Sequence, residues 1–456
     1  MNNVNDNAGA GLKRQIGLGT SIILVIANMI GTGIFTTSGF IIESLQDPKA
    51  LLICWIIGGV FALSGALCYG ELGSIFPRAG GEYVFLKECF GERLGFLSGW
   101  ISLIVGFSAP IAASSIAFSK YFFNSVFESK GLQVQDSLLL ANAPSVLAIG
   151  IILLFSFVHC YSVSIGSRVQ NALTGFKICL ILCFVVAGFL YGKGSMSHFS
   201  IEFDPTILTS GGFATSLIFI SFAYSGWNAA AYMGGEIKNP SKNIPLSLFI
   251  GTVVVICLYL LLNLLYVYAL SLNSMSGKLE IGAVAAAGLF GPNVGRFFSG
   301  AVTICLLSVV SAMIMAGPRV YYAMAKDGLF FNLFSRLTKT QRVPAYAIIL
   351  QALIAIIMVI TSSFDKLLLY IGFTLSIFAV LTVLGLMYLR ARMPDSKQTY
   401  KTFGYPVTPL IFILGNMWII IFCVKENPIV TFYGALTIIS GLIFYFIFKR
   451  RQERGD

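Results

Sequence analysis

Apolar stretches alternate with short polar ones along the whole chain. Twelve of them are predicted to form helices: 16–42, 50–76, 94–118, 146–164, 169–191, 212–232, 245–269, 295–322, 345–360, 367–389, 407–424 and 429–448. A helix needs about 20 apolar residues to cross a hydrocarbon core of about 30 Å, so each run reads as a membrane span. No polar segment between them has the length of a soluble catalytic domain. Run 1 is preceded by a polar tail with Lys13 and Arg14, yet it is longer than a signal-peptide core and no small-residue cleavage site follows it. It is expected to stay as a helix.

Composition agrees. The 456 residues are 57% hydrophobic and 11% charged, with a mean hydropathy of +0.86, far from the averages of soluble domains. The expected fold class is an all-α membrane protein with twelve transmembrane helices. Basic loops stay cytoplasmic. With the amino terminus inside, segments on its side hold 21 of the 30 Lys and Arg and the opposite loops hold 8, which leaves Lys177. Both termini are therefore expected to be cytoplasmic. The net charge of +11 follows largely from this bias, and no basic stretch joins a soluble fold that would bind nucleic acid. The nine cysteines are scattered, without a Cys-x-x-Cys pair, and the one beside a histidine, Cys160 after His159, has no further Cys or His near it in sequence, so neither metal sites nor disulfides are expected.

Runs 1 and 6 carry matching interruptions: Ile30-Gly31-Thr32-Gly33-Ile34, and Phe222-Ala223-Tyr224-Ser225-Gly226-Trp227-Asn228. Paired interruptions of this kind mark the binding site in many transporters. They open two five-helix halves, 16–191 and 212–389. Because five is odd, the second half enters from the opposite side, giving an inverted repeat with the helices of 407–448 outside it. A helix broken at mid-membrane exposes peptide groups that hydrocarbon cannot satisfy, so it survives only where it lines a cavity or meets a ligand. Gly31 and Gly33 let a ligand approach the main chain. The helix start after the break offers N–H groups to a carboxylate, and the carbonyl end beside it suits an ammonium. A zwitterionic amino acid presents both. The structural alternative for Gly-Thr-Gly is a small-residue packing face; the second interruption, and the polar amides of Asn28 and Asn228, weigh against it.

Lys177 stands alone in run 5. An ammonium near the bilayer centre costs about 3 kcal/mol even on the mildest insertion scale, which marks it as functional. Catalysis would need a nucleophile, an acid–base pair or a metal cluster at membrane depth. With only His159 and His198 available, no enzyme, catalytic residue or cofactor is expected. His159 reads as a hydrogen-bonded helix residue.

Asn28-Met29-Ile30-Gly31-Thr32-Gly33-Ile34-Phe35 and the run 6 motif resemble those of the amino acid–polyamine–organocation superfamily, specifically the bacterial relatives of L-type amino acid transporters. Glu236-Ile237-Lys238-Asn239-Pro240 with Asn243-Ile244-Pro245, Gly70-Glu71-Leu72, Pro77-Arg78-Ala79-Gly80-Gly81-Glu82-Tyr83, Pro318-Arg319 and Ala325-Lys326-Asp327-Gly328 add to the resemblance. It implies the leucine-transporter-type fold in the cytoplasmic membrane of a bacterium, with alternating access to a central site. It also implies substrate contacts from Asn28, Ile30, Gly31, Thr32, Gly33, Phe222, Ala223, Tyr224, Ser225, Gly226 and Asn228, with Phe222 as outward gate. Phe222 and Trp227 have core packing as their structural alternative. The stretch 168–177 is similar to helix 5 of sodium-independent members, where a lysine takes the place of a sodium ion and braces helix 1 against helix 8. Lys177 is either such a permanent brace or a proton site. These alternatives stay open.

Run 3 has no acidic residue, and in relatives that select cationic amino acids a carboxylate there pairs with the side chain. Neutral amino acids are expected; Ser108, Ala109 and Ser115 leave space and Phe107 and Phe118 restrict it, and which of the five face the site stays open. A cationic amino acid or polyamine transporter, or an amino acid sensor, is the alternative on the same fold. Glu71, Glu236, Arg78 and Arg319 form either a cytoplasmic gate of ion pairs or snorkelling and capping charges. Residues 119–145 contain no cysteine, so no disulfide-linked heavy chain is expected. The partners implied are the substrate and membrane lipid.

Overall fold

The computed structural model describes residues 12–127, 143–161, 163–200, 202–338, 342–361, 364–392 and 400–454. Run 1 is two helices, Leu18–Met29 (α1) and Thr32–Leu45 (α2), separated at Ile30 and Gly31. Asp47 starts Pro48–Ile75 (α3) by accepting from the Lys49 and Ala50 amides at 2.7 and 2.9 Å, the usual role of an N-cap carboxylate. Run 3 is Glu92–Ile101 (α5), a π-helical turn Ser102–Ser108 and Ala109–Phe127 (α6). Ala143–Tyr161 (α7) and Val163–Tyr191 (α8) follow.

Run 6 is Gly211–Tyr224 (α9) and the short Ala229–Tyr232 (α10), followed by Pro240–Ala269 (α11). Run 8 is Pro292–Ala316 (α13) with Pro318–Lys326 (α14), and Ala345–Thr361 (α15), Phe364–Arg392 (α16), Val407–Glu426 (α17) and Pro428–Arg454 (α18) follow. Ten of the described helices have the length and composition to cross a membrane, and Gly211–Tyr224 and Ala345–Thr361 are shorter apolar ones. Besides the single turn Leu272–Met275, two longer helices fall between the predicted runs: Glu82–Phe90 (α4) and Ile281–Phe290 (α12). Each ends in Phe-Gly, and the two glycines adopt nearly the same backbone, Gly91 at φ 94°, ψ 176° and Gly291 at φ 94°, ψ 167°.

The exterior is apolar. Phe157, Leu190, Ile429 and Phe432 are about two-thirds exposed, as lipid-facing side chains are, while polar groups turn inward, such as Ser38 bonded to Asn263 at 2.6 Å. With the apolar lengths of the helices, this makes the chain a multi-pass integral membrane protein. The two broken helices cross at the centre: α2 packs on α9, and α1 on α8, α11 and α13.

On the face that carries Gln15 and Ile16, called here the N-terminal face, the chain after α10 is tied back to the start by bonds from the Gln15 and Ile16 amides to the Glu236 carbonyl, both 2.9 Å. Buried Arg319 clamps Glu236 there (Nε–Oε1 2.7 Å). Glu71 is held by Arg390 at 2.6 and 2.7 Å and by the Thr402 amide at 2.6 Å, and Lys87 by Asp327 at 2.6 Å. Arg78 pairs with Glu88. Of the four charges expected as gate or caps, Glu236 and Arg319 thus pair with each other, and Glu71 and Arg78 find partners on other residues.

Candidate functional site

Both breaks leave peptide groups without helical partners, and side chains from neighbouring helices take several of them. The Lys177 ammonium, fully buried on α8, donates to the Ala27 carbonyl at 3.3 Å and to the Ile30 carbonyl. The Tyr259 hydroxyl on α11 lies 2.6 Å from the Met29 carbonyl and 3.0 Å from that of Ala223. Its one proton is shared between the two broken helices. The end of α1 is therefore bound by an amine from one side and a phenol from the other. Helix 8 in the expected brace contributes the Cys305 thiol, close enough to Lys177 to interact electrostatically; the hydrogen bonds of Lys177 go to helix 1.

At the start of α2, Gly31 is extended (φ −119°) and supplies no side-chain cap; the first amides of a helix have no intrahelical partners, which suits an anion. Two glycines bring the breaks together. A Cβ on Gly33 would lie 2.5 Å from Ala223 Cα, and one on Gly226, which has φ +95°, would lie 2.8 Å from the Asn28 carbonyl carbon and oxygen. Gly33 thus does act as a packing contact, whereas a Cβ on Gly31 would meet only ordinary contacts at 3.7–3.8 Å.

Asn28, Gly31, Thr32, Gly33, Phe222, Ala223 and Ser225 surround one cavity of about 20 Å³, completed by Met29, Pro110, Ser114, Val309 and Met313. Its wall has no charged side chain. A second cavity of about 90 Å³ adjoins it through Asn28, Ser225 and Met313, and Tyr224, Gly226 and Asn228 line it. Of the expected site residues, Ile30 lines neither, and its carbonyl accepts from Lys177. Tyr224 directs its hydroxyl away from the smaller cavity, to the Trp55 carbonyl at 3.0 Å. The sequence leaves open which residues of run 3 face the site. Gly106, Phe107, Pro110 and Ser114 face the cavities, while Ser108, Ala109, Ser115 and Phe118 do not. The π-helical turn at Ser102–Ser108 shifts the helical register and selects this face. His159 bonds Ser311 at 2.9 Å, and His198 meets the Val267 carbonyl at 3.0 Å. Among the described residues no group of His, Cys, Asp and Glu could hold a metal.

Sequence reading missed Tyr259 and the proximity of Glu82 to the second cavity. Tyr259 carried the same signal as Lys177, a polar group inside an apolar run, but a tyrosine is cheap enough in membranes to pass unnoticed. Tyr259→Phe keeps the ring contacts with Trp55 and Tyr224, whose centroids lie 5.2 and 5.1 Å away, and removes only the bridge between the breaks. At ~1.5 kcal/mol for a buried hydrogen bond, about a tenfold lower transport rate is expected, measurable as initial uptake into liposomes.

The amino acid permease family model matches residues 16–448. The b(0,+)-type amino acid transporter 1 of Mus musculus is 30% identical over 446 residues, covering 96% of this chain and 88% of its own. The serine/threonine exchanger SteT of Bacillus subtilis is 30% identical over 445 residues, covering 97% and 98%. The large neutral amino acids transporter small subunit 2 of Mus musculus is 28% identical over 454 residues, covering 96% and 82%. The resemblance seen in the helix 1 and helix 6 motifs is borne out across nearly the whole length. This chain belongs to the amino acid permease family, and it is a multi-pass membrane transporter of amino acids rather than an enzyme.

Proposed function

We propose that the protein moves neutral amino acids across the cytoplasmic membrane of a bacterium by alternating access and without sodium, as an exchanger or a proton-coupled symporter. The observation that carries the sodium-independent reading is the Lys177 ammonium on the carbonyls of Ala27 and Ile30. A fixed amine there donates to oxygens that a bound monovalent cation would otherwise coordinate. The uncharged wall of the smaller cavity supports a neutral side chain. The first amides of α2 receive the carboxylate, the remaining main-chain carbonyls around the breaks receive the ammonium, and Phe222 closes the site on its outward side.

The two five-helix units, 16–191 and 212–389, are inverted repeats in this reading, and 407–448 lies outside them. The matching helix breaks and the matching corners at Gly91 and Gly291 support it. Both termini face the cytoplasm, as the basic residues favour. Transport needs no disulfide-linked heavy chain: residues 119–145 have no cysteine, although 128–142 lie outside the described residues.

The test is uptake of labelled serine, chosen from the name of the Bacillus subtilis relative, into liposomes holding the purified chain alone. Uptake unchanged when choline replaces sodium is expected, and a sodium requirement overturns the reading. Uptake only into serine-loaded liposomes identifies exchange, and uptake driven by an acid exterior identifies proton symport. Stronger competition by arginine or putrescine than by alanine favours the cationic alternative, and binding without flux favours a sensor.

A further inference from the structure

Glu82 is the first residue of α4, in the short segment joining α3 to α5 and outside the membrane-spanning helices. It is nonetheless 5% exposed. Its Oε1 accepts from the Tyr69 hydroxyl at 2.7 Å and from the Asn228 amide at 2.9 Å, and the Tyr232 hydroxyl stands beside it, 3.3 Å from the same amide. These donors come from three elements: α3, the gap in the sixth helix, and α10. Glu82 also lines the 90 Å³ cavity, whose walls at Asn28, Ser225 and Met313 are shared with the smaller one.

The carboxylate has no cation against it among the described residues. From α3 the titratable group facing it is Tyr69, and from α10 it is Tyr232, against which Tyr321 of α14 lies. The π-helical turn brings Ser102 and Phe107, neither of them ionisable. The charges on the elements packed around α4 are committed elsewhere: Arg319 to Glu236, Arg390 to Glu71, Lys87 to Asp327, Arg78 to Glu88 and Lys449 to Glu92. Arg93 lies over the Phe446 ring, and Lys326 is exposed. A buried charge held only by neutral donors is costly, so its proton is the cheapest way to relieve that cost.

We propose that Glu82 is the proton-binding group of this transporter: ionised, it latches the broken sixth helix to α3 and α4, and on taking a proton from water in the adjoining cavity it loosens that latch. The inference rests on the transport reading above and assigns the proton to Glu82, which leaves Lys177 as the permanent brace. Hydrogen bonds to an ionised acceptor are about twice as strong as neutral ones, so protonation weakens the grip on Asn228, the residue at the edge of the substrate break. The cavity is roomy and polar enough for water, which gives the proton a path. Burial pushes the Glu82 carboxyl up to about 7, against the opposing pull of its bonds from Tyr69, Asn228 and Tyr232. Below that pH the acid is neutral and the latch loose; above it the carboxylate holds.

The experiment measures labelled serine exchange in liposomes, and serine binding to the purified protein, from pH 5.5 to 8.5. For the unmodified protein a several-fold change centred near pH 7 is expected. Glu82→Gln should give a flat profile in binding and in whatever flux remains, and Glu82→Asp should move the midpoint. If Glu82→Gln does not yield monodisperse protein, the displaced midpoint of Glu82→Asp decides. A pH-independent unmodified protein, or an unchanged midpoint in both variants, overturns the assignment while leaving transport intact. So does loss of competition by arginine in Glu82→Gln with its pH profile preserved, which would make Glu82 a contact for a cationic side chain. Failure of the unmodified protein to move any of the twenty amino acids would instead overturn the transport reading.

Discussion

Lys177→Ala is expected to leave the protein folded and to lower amino acid flux by about a hundredfold. The amine is the donor for two carbonyls at the end of α1. Bonds from a charged donor contribute about 1.5–3 kcal/mol each, and roughly 3 kcal/mol lost where helix 1 must hold its shape corresponds to about a hundredfold in rate. The fold itself should survive, because the substitution also removes an ammonium that faces carbonyls and a thiol but no carboxylate. Lys177→Met retains the packing of the stem and isolates the charge. Flux in liposomes and thermal unfolding of the purified variants separate the two roles. Normal flux in both variants at every pH would remove the amine from the mechanism, and failure of both to fold would make it structural.

Gly226→Val is expected to abolish measurable serine binding, and Gly226→Ala to weaken it at least tenfold. Two costs coincide at this position. The backbone is at φ +95°, and any Cβ would lie 2.8 Å from the main chain of Asn28. A strained backbone costs about 1–3 kcal/mol, and the clash is with peptide atoms of the other break, which cannot yield without separating the two gaps. Gly31→Ala is the control, since its Cβ meets ordinary contacts at 3.7–3.8 Å. A binding titration of both alanine variants checks the contrast. Equal affinities would show that the approach of the two breaks does not shape the site.

The breaks were legible because their signal is local. Gly31 and Gly33, and Ser225 with Gly226, disturb an apolar pattern that is otherwise continuous. Lys177 was legible for the same reason. What stayed hidden depended on contacts distant in sequence. Glu71 bonds Arg390, and no spacing rule pairs residues in different halves of a chain. Helices α4 and α12 are too short to register as spans, so they read as loops. Glu82 appeared only as one letter of a loop motif, because nothing local shows that a polar connection folds back against the core. Which face of run 3 meets the site was not legible, because a π-helical turn advances the register without a sequence mark.

The two Phe-Gly corners repeat one geometry with different chemistry. The helix before Gly91 carries Glu82, Lys87 and Glu88, whereas the helix before Gly291, Ile281–Phe290, has no ionisable residue. The first corner is thus fastened by ion pairs and the second by greasy contact, so salt acts on the first and temperature mainly on the second.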